Sequence, residues 1–348
     1  MIKKQTSNRN DYYLEDGGLI PLKKKKKIII ISMLVMLLSI LAACNKPIEE
    51  KEDDLISIYT TVYPLQYFAE RIGGDEITVQ SIYPPGADEH TFDPTQKDMI
   101  GLANADLFFY IGLGLEGFVE NAEKTMKNEH VKMVPTAEWI TEDMLDVEHE
   151  ELEVGHSEDE SHDHSEDEHH DHGEFDPHVW MSPVLSDALA YAIKESLIDI
   201  APDKKELFQT NYEALQNDLL KLDRQFIDMT SNAPSKTFFV SHAAFGYIAD
   251  TYGLEQIAIA GLNSQSDPSQ KQLTTIVEEA KEHNVKYVLF EQNISSKLTE
   301  VIQKEIGAES LMLHNLGVLT NEDIKNNEDY FTLMEYNVQT LEKALGGK

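Results

Sequence analysis

The chain of 348 residues contains a single cysteine, Cys44, so no disulfide can form within it. Its N-terminal apolar run, Ile28 to Ala43, is short for a membrane span, which needs ~20 residues. Basic residues are scarce, with 29 Lys and Arg against 63 Asp and Glu and a net charge of −34. Such a surface repels nucleic acid and anionic lipid and draws cations, so nucleic-acid partners are excluded. Absent too is an HExxH helix, the arrangement with which many secreted zinc hydrolases hold their metal and their general base.

What is present is an ordinary globular composition, 41% apolar and 26% charged, with room for two domains. The stretch "KKKKKIIIISMLVMLLSILAAC" is a basic block, an apolar run and small residues, and reads as an export signal. Residues 1–43 are therefore taken as a polar extension plus signal peptide and set aside from the fold, and residues 44–54 as a charged linker. The globular part is expected outside the cytoplasmic membrane.

From Leu55 onward strands alternate with helices. "LISIYTTV" suits a buried strand, Pro64 opens a helix, Gly73-Gly74 closes it, and a second strand ends at Tyr83. A helix over Gln96 to Ala103, the strand "DLFFYIG", a helix from Glu116 to Met126 and the strand "VKMVP" continue the pattern. The alternation predicts an α/β fold of two lobes, each a mostly parallel sheet flanked by helices, joined by a long rigid helix. The N-terminal lobe is assigned residues 55–201, the connecting helix 202–232 and the C-terminal lobe 233–348. In the connecting helix Leu207, Leu215, Leu219, Leu222 and Phe226 form an apolar stripe. Residues 141–175 lose all periodicity and are expected to form a disordered acidic, His-rich loop.

In open α/β sheets ligands bind beyond the carboxyl ends of the strands. Metal-competent residues that follow directly on predicted strands are His90 in "YPPGADEHTFDP", His242 in "FFVSHAAFGY" and Glu291 in "YVLFEQNISSK". His178 lies in "FDPHVWMSP", where the acidic loop gives way to helix. A single histidine at a strand end is more often structural than a ligand. Four such residues converging from two lobes point to a metal, and three imidazoles with one carboxylate suit tetrahedral Zn²⁺. A ligating imidazole commonly donates its other N–H to a carboxylate. Asp93 and Asp176 lie close to His90 and His178 and could serve, although Asp93 reads more readily as a helix cap and Asp176 equally as a turn residue.

These segments carry a resemblance. "YPPGADEHTFDPT", "DPHVWMSP", "SHAAFGYIADTYGL" and "VLFEQNISSK", in that order, resemble the metal-binding solute-binding lipoproteins of bacterial ABC importers, in the zinc branch also known as the high-affinity zinc uptake or adhesin-lipoprotein family. The likeness covers about residues 55 to 346. It implies that the histidine ligands fall on His90, His178 and His242, and that Glu291 supplies the fourth position, with Glu89 or water as the alternatives. In the manganese branch the third ligand is a glutamate, so an imidazole at His242 turns the preference toward Zn²⁺. The resemblance further implies an ABC permease and its cytoplasmic ATPase as partners. Leu41-Ala42-Ala43-Cys44 resembles the lipoprotein signal box, which implies a lipid on Cys44 and a monomer anchored to the outer face of the cell membrane. An uncleaved transmembrane anchor is the alternative.

"GHSEDESHDHSEDEHHDHG" holds His156, His162, His164, His169, His170 and His172 among carboxylates. It reads as a weak zinc-collecting arm tethered beside His178, and its bland alternative is a solvated acidic loop. A secreted zinc hydrolase, with Glu291 as general base, and a surface adhesin are the competing classes. Two ligand sets on two hinged lobes suit capture and release better than catalysis. Because zinc needs neutral imidazoles, affinity is expected to drop as the pH falls through the ordinary histidine range near ~6.5.

Overall fold

The computed structural model describes residues 55–146, 175–262, 269–292 and 297–347, together with the backbone of 12–15 and 18–21. Residues Met1–Asp54 form one compact unit and Leu55–Lys348 the other. In the first, β1 (Tyr12–Glu15) pairs antiparallel with β2 (Gly18–Pro21), inside the extension set aside on sequence grounds. Cys44 and the signal segment lie outside the described residues, as do the six histidines from His156 to His172.

The second unit opens with β3 (Ile56–Thr60), whose chain turns into α1 (Tyr63–Gly73). Pro64 sits in the first turn of α1, where a missing N–H costs nothing, and Gly74 ends the helix at φ 55°. The chain continues through β4 (Ile77–Ser81), α2 (Gln96–Ala103), β5 (Leu107–Tyr110), α3 (Val119–Met126) and β6 (Lys132–Pro135). These strands form an all-parallel sheet in the order β4-β3-β5-β6. The central strand β5, "LFFY", is buried at every position, as a strand covered on both faces must be. The one-turn helix α4 (Glu142–Leu145) follows, and its Leu145 is buried, so order extends a few residues into the stretch expected to be a loop from residue 141.

Two long helices come next, α5 (Pro183–Ile200) and α6 (Lys205–Asn232). At ~1.5 Å per residue α6 is about 42 Å long. It packs on α1 and α5 along one part of its length. Its buried stripe is Phe208, Tyr212, Leu215, Leu219, Leu222, Phe226 and Met229. Leu207, expected in that stripe, is 40% exposed: the 3.6-residue period puts Phe208 on the inner face and turns its neighbour outward.

The second sheet is built from β7 (Thr237–His242), α7 (Gly246–Tyr252), β8 (Glu255–Ala260), α8 (Gln270–Glu282), β9 (Tyr287–Phe290), α9 (Lys297–Ile306) and β10 (Glu309–Met312). It too is parallel, in the order β10-β9-β7-β8. A short helix not foreseen, α10 (Asn321–Asn326), precedes the terminal α11 (Tyr330–Ala344), and both start with reciprocal capping boxes, Thr320 with Asp323 and Asp329 with Thr332. α11 and α7 pack on α6, so that one helix touches elements of both sheets. One hydrophobic core runs from Ile58 through Phe226 to Leu345, and a smaller one lies around Phe239, Ile276 and Val288.

In each sheet the first strand has its successors on opposite sides, which opens a crevice at the carboxyl ends between β3 and β5 and between β7 and β9. The first crevice is filled by the chain's own Glu116. Its carboxylate accepts hydrogen bonds from Thr61 Oγ1 (2.8 Å) and from the backbone N–H groups of Ile111 (2.8 Å) and Gly112 (3.1 Å). The second crevice carries His242 at the end of β7 and Glu291 just beyond β9.

Candidate metal centre

Among the described residues, His90, His178 and His242 form a group whose potential ligand atoms all lie within 4.8 Å of one another. Each arrives by a different route. His90 sits in the turn that follows β4, where its backbone N–H donates to the Asp88 carboxylate at 2.9 Å. His178 precedes α5, and His242 closes β7. Ring centroids are 5.2 Å apart for His90 and His178, 5.2 Å for His90 and His242, and 4.9 Å for His178 and His242. His178 and His242 are fully buried and His90 is partly exposed, so the group opens to solvent through His90.

The second nitrogens are already committed. Asp176 Oδ1 accepts from both Nδ1 (2.7 Å) and the backbone N–H (2.8 Å) of His178, so it forms the turn and orients the ring at once. With Nδ1 protonated, the Nε2 lone pair of His178 faces His90 Nε2 at 3.2 Å. Two ligands on a tetrahedral zinc at ~2.05 Å bonds are about 3.3 Å apart, so this pair is already spaced for an ion. Asp93, in contrast, is exposed, and the cap expected of it is supplied by Thr95, which shares a capping box with Asp98. His90 is held instead through Asp88.

Glu291 and Glu89 are brought beside the histidines and stand outside the close group. Glu291 Oε2 lies 3.1 Å from His242 Nδ1, and its Oε1 accepts from Ser241 Oγ at 3.0 Å. Glu89 is buried and shares a partner with it: Asn315 Nδ2 donates to Glu89 Oε1 and to Glu291 Oε2, each at 2.9 Å. The side-chain Oδ1 of Asn315 accepts from Gly317 N–H at 3.0 Å, which fixes the amide orientation. Gly317 has no room for a side chain, since a Cβ there would stand 2.6 Å from Glu89 Oε1. Trp180 ties this scaffold to His178: its Nε1 donates to the Asn315 backbone carbonyl at 2.7 Å and its ring lies 5.3 Å from the imidazole. Tyr247 of α7 donates to the Asp176 backbone carbonyl at 2.8 Å.

Asn315, Gly317, Ser241, Trp180 and Tyr247 were not singled out from sequence. The strand-end rule that found His242 and Glu291 also covers Asn315, three residues past β10, once neutral amides are admitted as well as charged ligands.

The electrostatics divide the histidines. Burial and the neighbouring His178 and His242 push the His90 pKa down to about 3. Burial lowers that of His178 despite Asp176. Burial acts on His242 in the same sense, but the Glu291 charge and hydrogen bond and the Leu262 carbonyl outweigh it and lift the pKa to about 9. In the absence of an ion His242 is thus an imidazolium whose two N–H groups point at Glu291 and, at 2.9 Å, at Leu262 O. Burial, reinforced by Glu291, also lifts Glu89 to about 7. Of the three imidazoles, His242 alone has its pKa raised.

Comparison with known proteins follows the same lines. Residues 58–344 match the family described as ZnuA, the periplasmic zinc-uptake complex component A. The chain is 35% identical over 307 residues to the zinc-binding lipoprotein AdcA of Streptococcus pneumoniae (strain ATCC BAA-255 / R6), across 87% of this chain and 58% of that protein. It thus spans little more than half the length of this relative. Over 310 residues it is 35% identical to the high-affinity zinc uptake system protein ZnuA of Bacillus subtilis (strain 168), covering 88% of this chain and 94% of the other. The fold is similar to the crystal structure of the Zn(II)-bound ZnuA-like domain of Streptococcus pneumoniae AdcA, with a TM-score of 0.66 and 34% identity over 84% of this chain and 99% of that one.

Proposed function

Because the chain belongs to the zinc-uptake complex component A family, we propose that it captures Zn²⁺ outside the cytoplasm on His90, His178 and His242 and hands it to an ABC permease driven by a cytoplasmic ATPase. One observation carries this reading: three imidazole ligand atoms, delivered from both sheets, lie within 4.8 Å of one another. Three nitrogen donors favour zinc over the oxygen-preferring Mn²⁺. The two relatives whose names specify zinc, AdcA and ZnuA, support the same cargo.

Capture proceeds by exchange of a proton for the ion. His178 is held by Asp176 as the tautomer whose Nε2 faces the site, and His90 is neutral, so both are ready. His242 gives up the proton it shares with Glu291, and the carboxylate stays to balance the incoming charge. Glu291 is the preferred fourth ligand, with Glu89 or water as alternatives. Release then requires the permease to part the lobes, taken as residues 55–201 and 233–348 about the helix 202–232. The protein acts as a monomeric carrier rather than an enzyme, anchored by lipid on Cys44, and His156, His162, His164, His169, His170 and His172 serve as an accessory collecting arm.

Isothermal titration of zinc into His242→Ala tests the assignment. The tight binding event of the parent chain is expected to disappear, and a variant that still binds zinc as tightly would overturn the site.

A further inference from the structure

A cavity of about 780 Å³ lies beyond the carboxyl ends of β9 and β10, lined by Gln292, His314, Glu322, Asp323, Glu328 and Glu335 among others. No Lys or Arg is among its lining residues. Four carboxylates alone would mean little, since acidic surfaces are usually just solvated. His314 changes the reading. Its side chain is only 6% exposed, yet its Nδ1 is buried with no hydrogen-bond partner.

The residue is held in place from both sides. His314 N–H donates to Asn337 Oδ1 at 2.8 Å, and Asn337 Nδ2 donates back to the His314 carbonyl at 2.7 Å. The Tyr336 ring stands edge-on at 5.7 Å. The charges acting on the imidazole are those of Asp323 and Glu328. Asp323 uses Oδ2 for the cap at Thr320. On the same wall Gln292 Oε1 is also buried without a partner. A buried acceptor without a donor is costly to keep, so two of them beside carboxylates mark a place built for a positively charged guest.

We propose that this cavity is a second, weaker divalent-cation site, in which His314 Nδ1 and the carboxylates of Asp323 and Glu328 bind Zn²⁺. A nitrogen donor beside carboxylates suits zinc, whereas Ca²⁺ and Mg²⁺ take oxygen ligands alone. The three donors do not form a close group like that of His90, His178 and His242. Glu328 must turn inward to complete the set, which is why this site is the weaker one. Gln292 adjoins Glu291 and His314 adjoins Asn315, so the two sites share a wall without sharing a ligand.

The test follows the His314 ring nitrogens by NMR in the full chain, assigned by comparison with His314→Gln, during titration with zinc chloride. The His314 Nδ1 signal is expected to shift only after the first equivalent has been taken up, and to stay in place with magnesium. Glu328→Gln, a change at a half-buried side chain that leaves the core untouched, is expected to delay that shift to higher zinc while leaving the first binding event unaltered. The proposal is overturned if the His314 nitrogens do not move at large zinc excess, or if Glu328→Gln leaves their titration unchanged. Either result is independent of whether the first site binds zinc.

Discussion

Replacing Asp176 by Asn removes a charge and keeps a shape. Asp176 and His178 are both 0% exposed, and a single carboxylate oxygen serves both the ring Nδ1 at 2.7 Å and the backbone N–H at 2.8 Å. An amide oxygen can take over both hydrogen bonds, so the turn and the tautomer survive. What is lost is the charge that strengthens the Nδ1 bond and makes Nε2 a better donor to the metal. A hydrogen bond to a charged group contributes about 1.5–3 kcal/mol against about 1 for a neutral one, a difference of about 0.5–2 kcal/mol. That corresponds to roughly a 2- to 30-fold loss in affinity, whose upper end overlaps the range of about 10- to 100-fold seen when the partner of a ligating histidine is altered. Asp176→Ala goes further, because both donors of His178 then lack an acceptor and folding stability falls as well. Competition titration against a chelator measures the first effect and urea unfolding of the zinc-free protein the second. If Asp176→Asn bound zinc as tightly as the parent chain, the contribution of the Asp176 charge to zinc binding would be refuted.

Two further outcomes follow from the site's chemistry. With the His242 pKa lifted to about 9 and that of His90 pushed down to about 3, one proton must leave His242 for each ion bound below pH 9. Zinc affinity is therefore expected to rise by about tenfold per pH unit up to about pH 9 and then level off, with close to one proton released at pH 7. Titrations in buffers of different ionisation enthalpy count that proton, and an affinity already level above pH ~6.5 would show instead three ordinary imidazoles. Gly317→Ala places a Cβ 2.6 Å from Glu89 Oε1 and forces the carboxylate off Asn315. Overpacking of this kind costs about 1–3 kcal/mol in chemical denaturation, and an unchanged midpoint would contradict the close approach.

The alternation of strands and helices was legible because period-2 and period-3.6 patterns are local. Rules for strand ends then placed His242 and Glu291 without any tertiary information. What stayed hidden depends on contacts distant in sequence. Asn315 joins Glu89, 226 residues away, to Glu291, and nothing in "LHNLG" announces a bridge between two buried carboxylates. Asp93 and Thr95 both precede the same helix, and only the reciprocal bond of Thr95 with Asp98 shows which of them caps it. The raised pKa of His242 was hidden for the same reason, since the shift comes from a glutamate 49 residues away.

The most direct measurement is an anomalous difference map at the zinc edge from crystals of the zinc-loaded protein. The strongest peak is expected among His90, His178 and His242, within ~2.1 Å of one ring nitrogen of each. A strongest peak elsewhere, or one that leaves any of these three imidazoles out of its ligand set, would contradict the account.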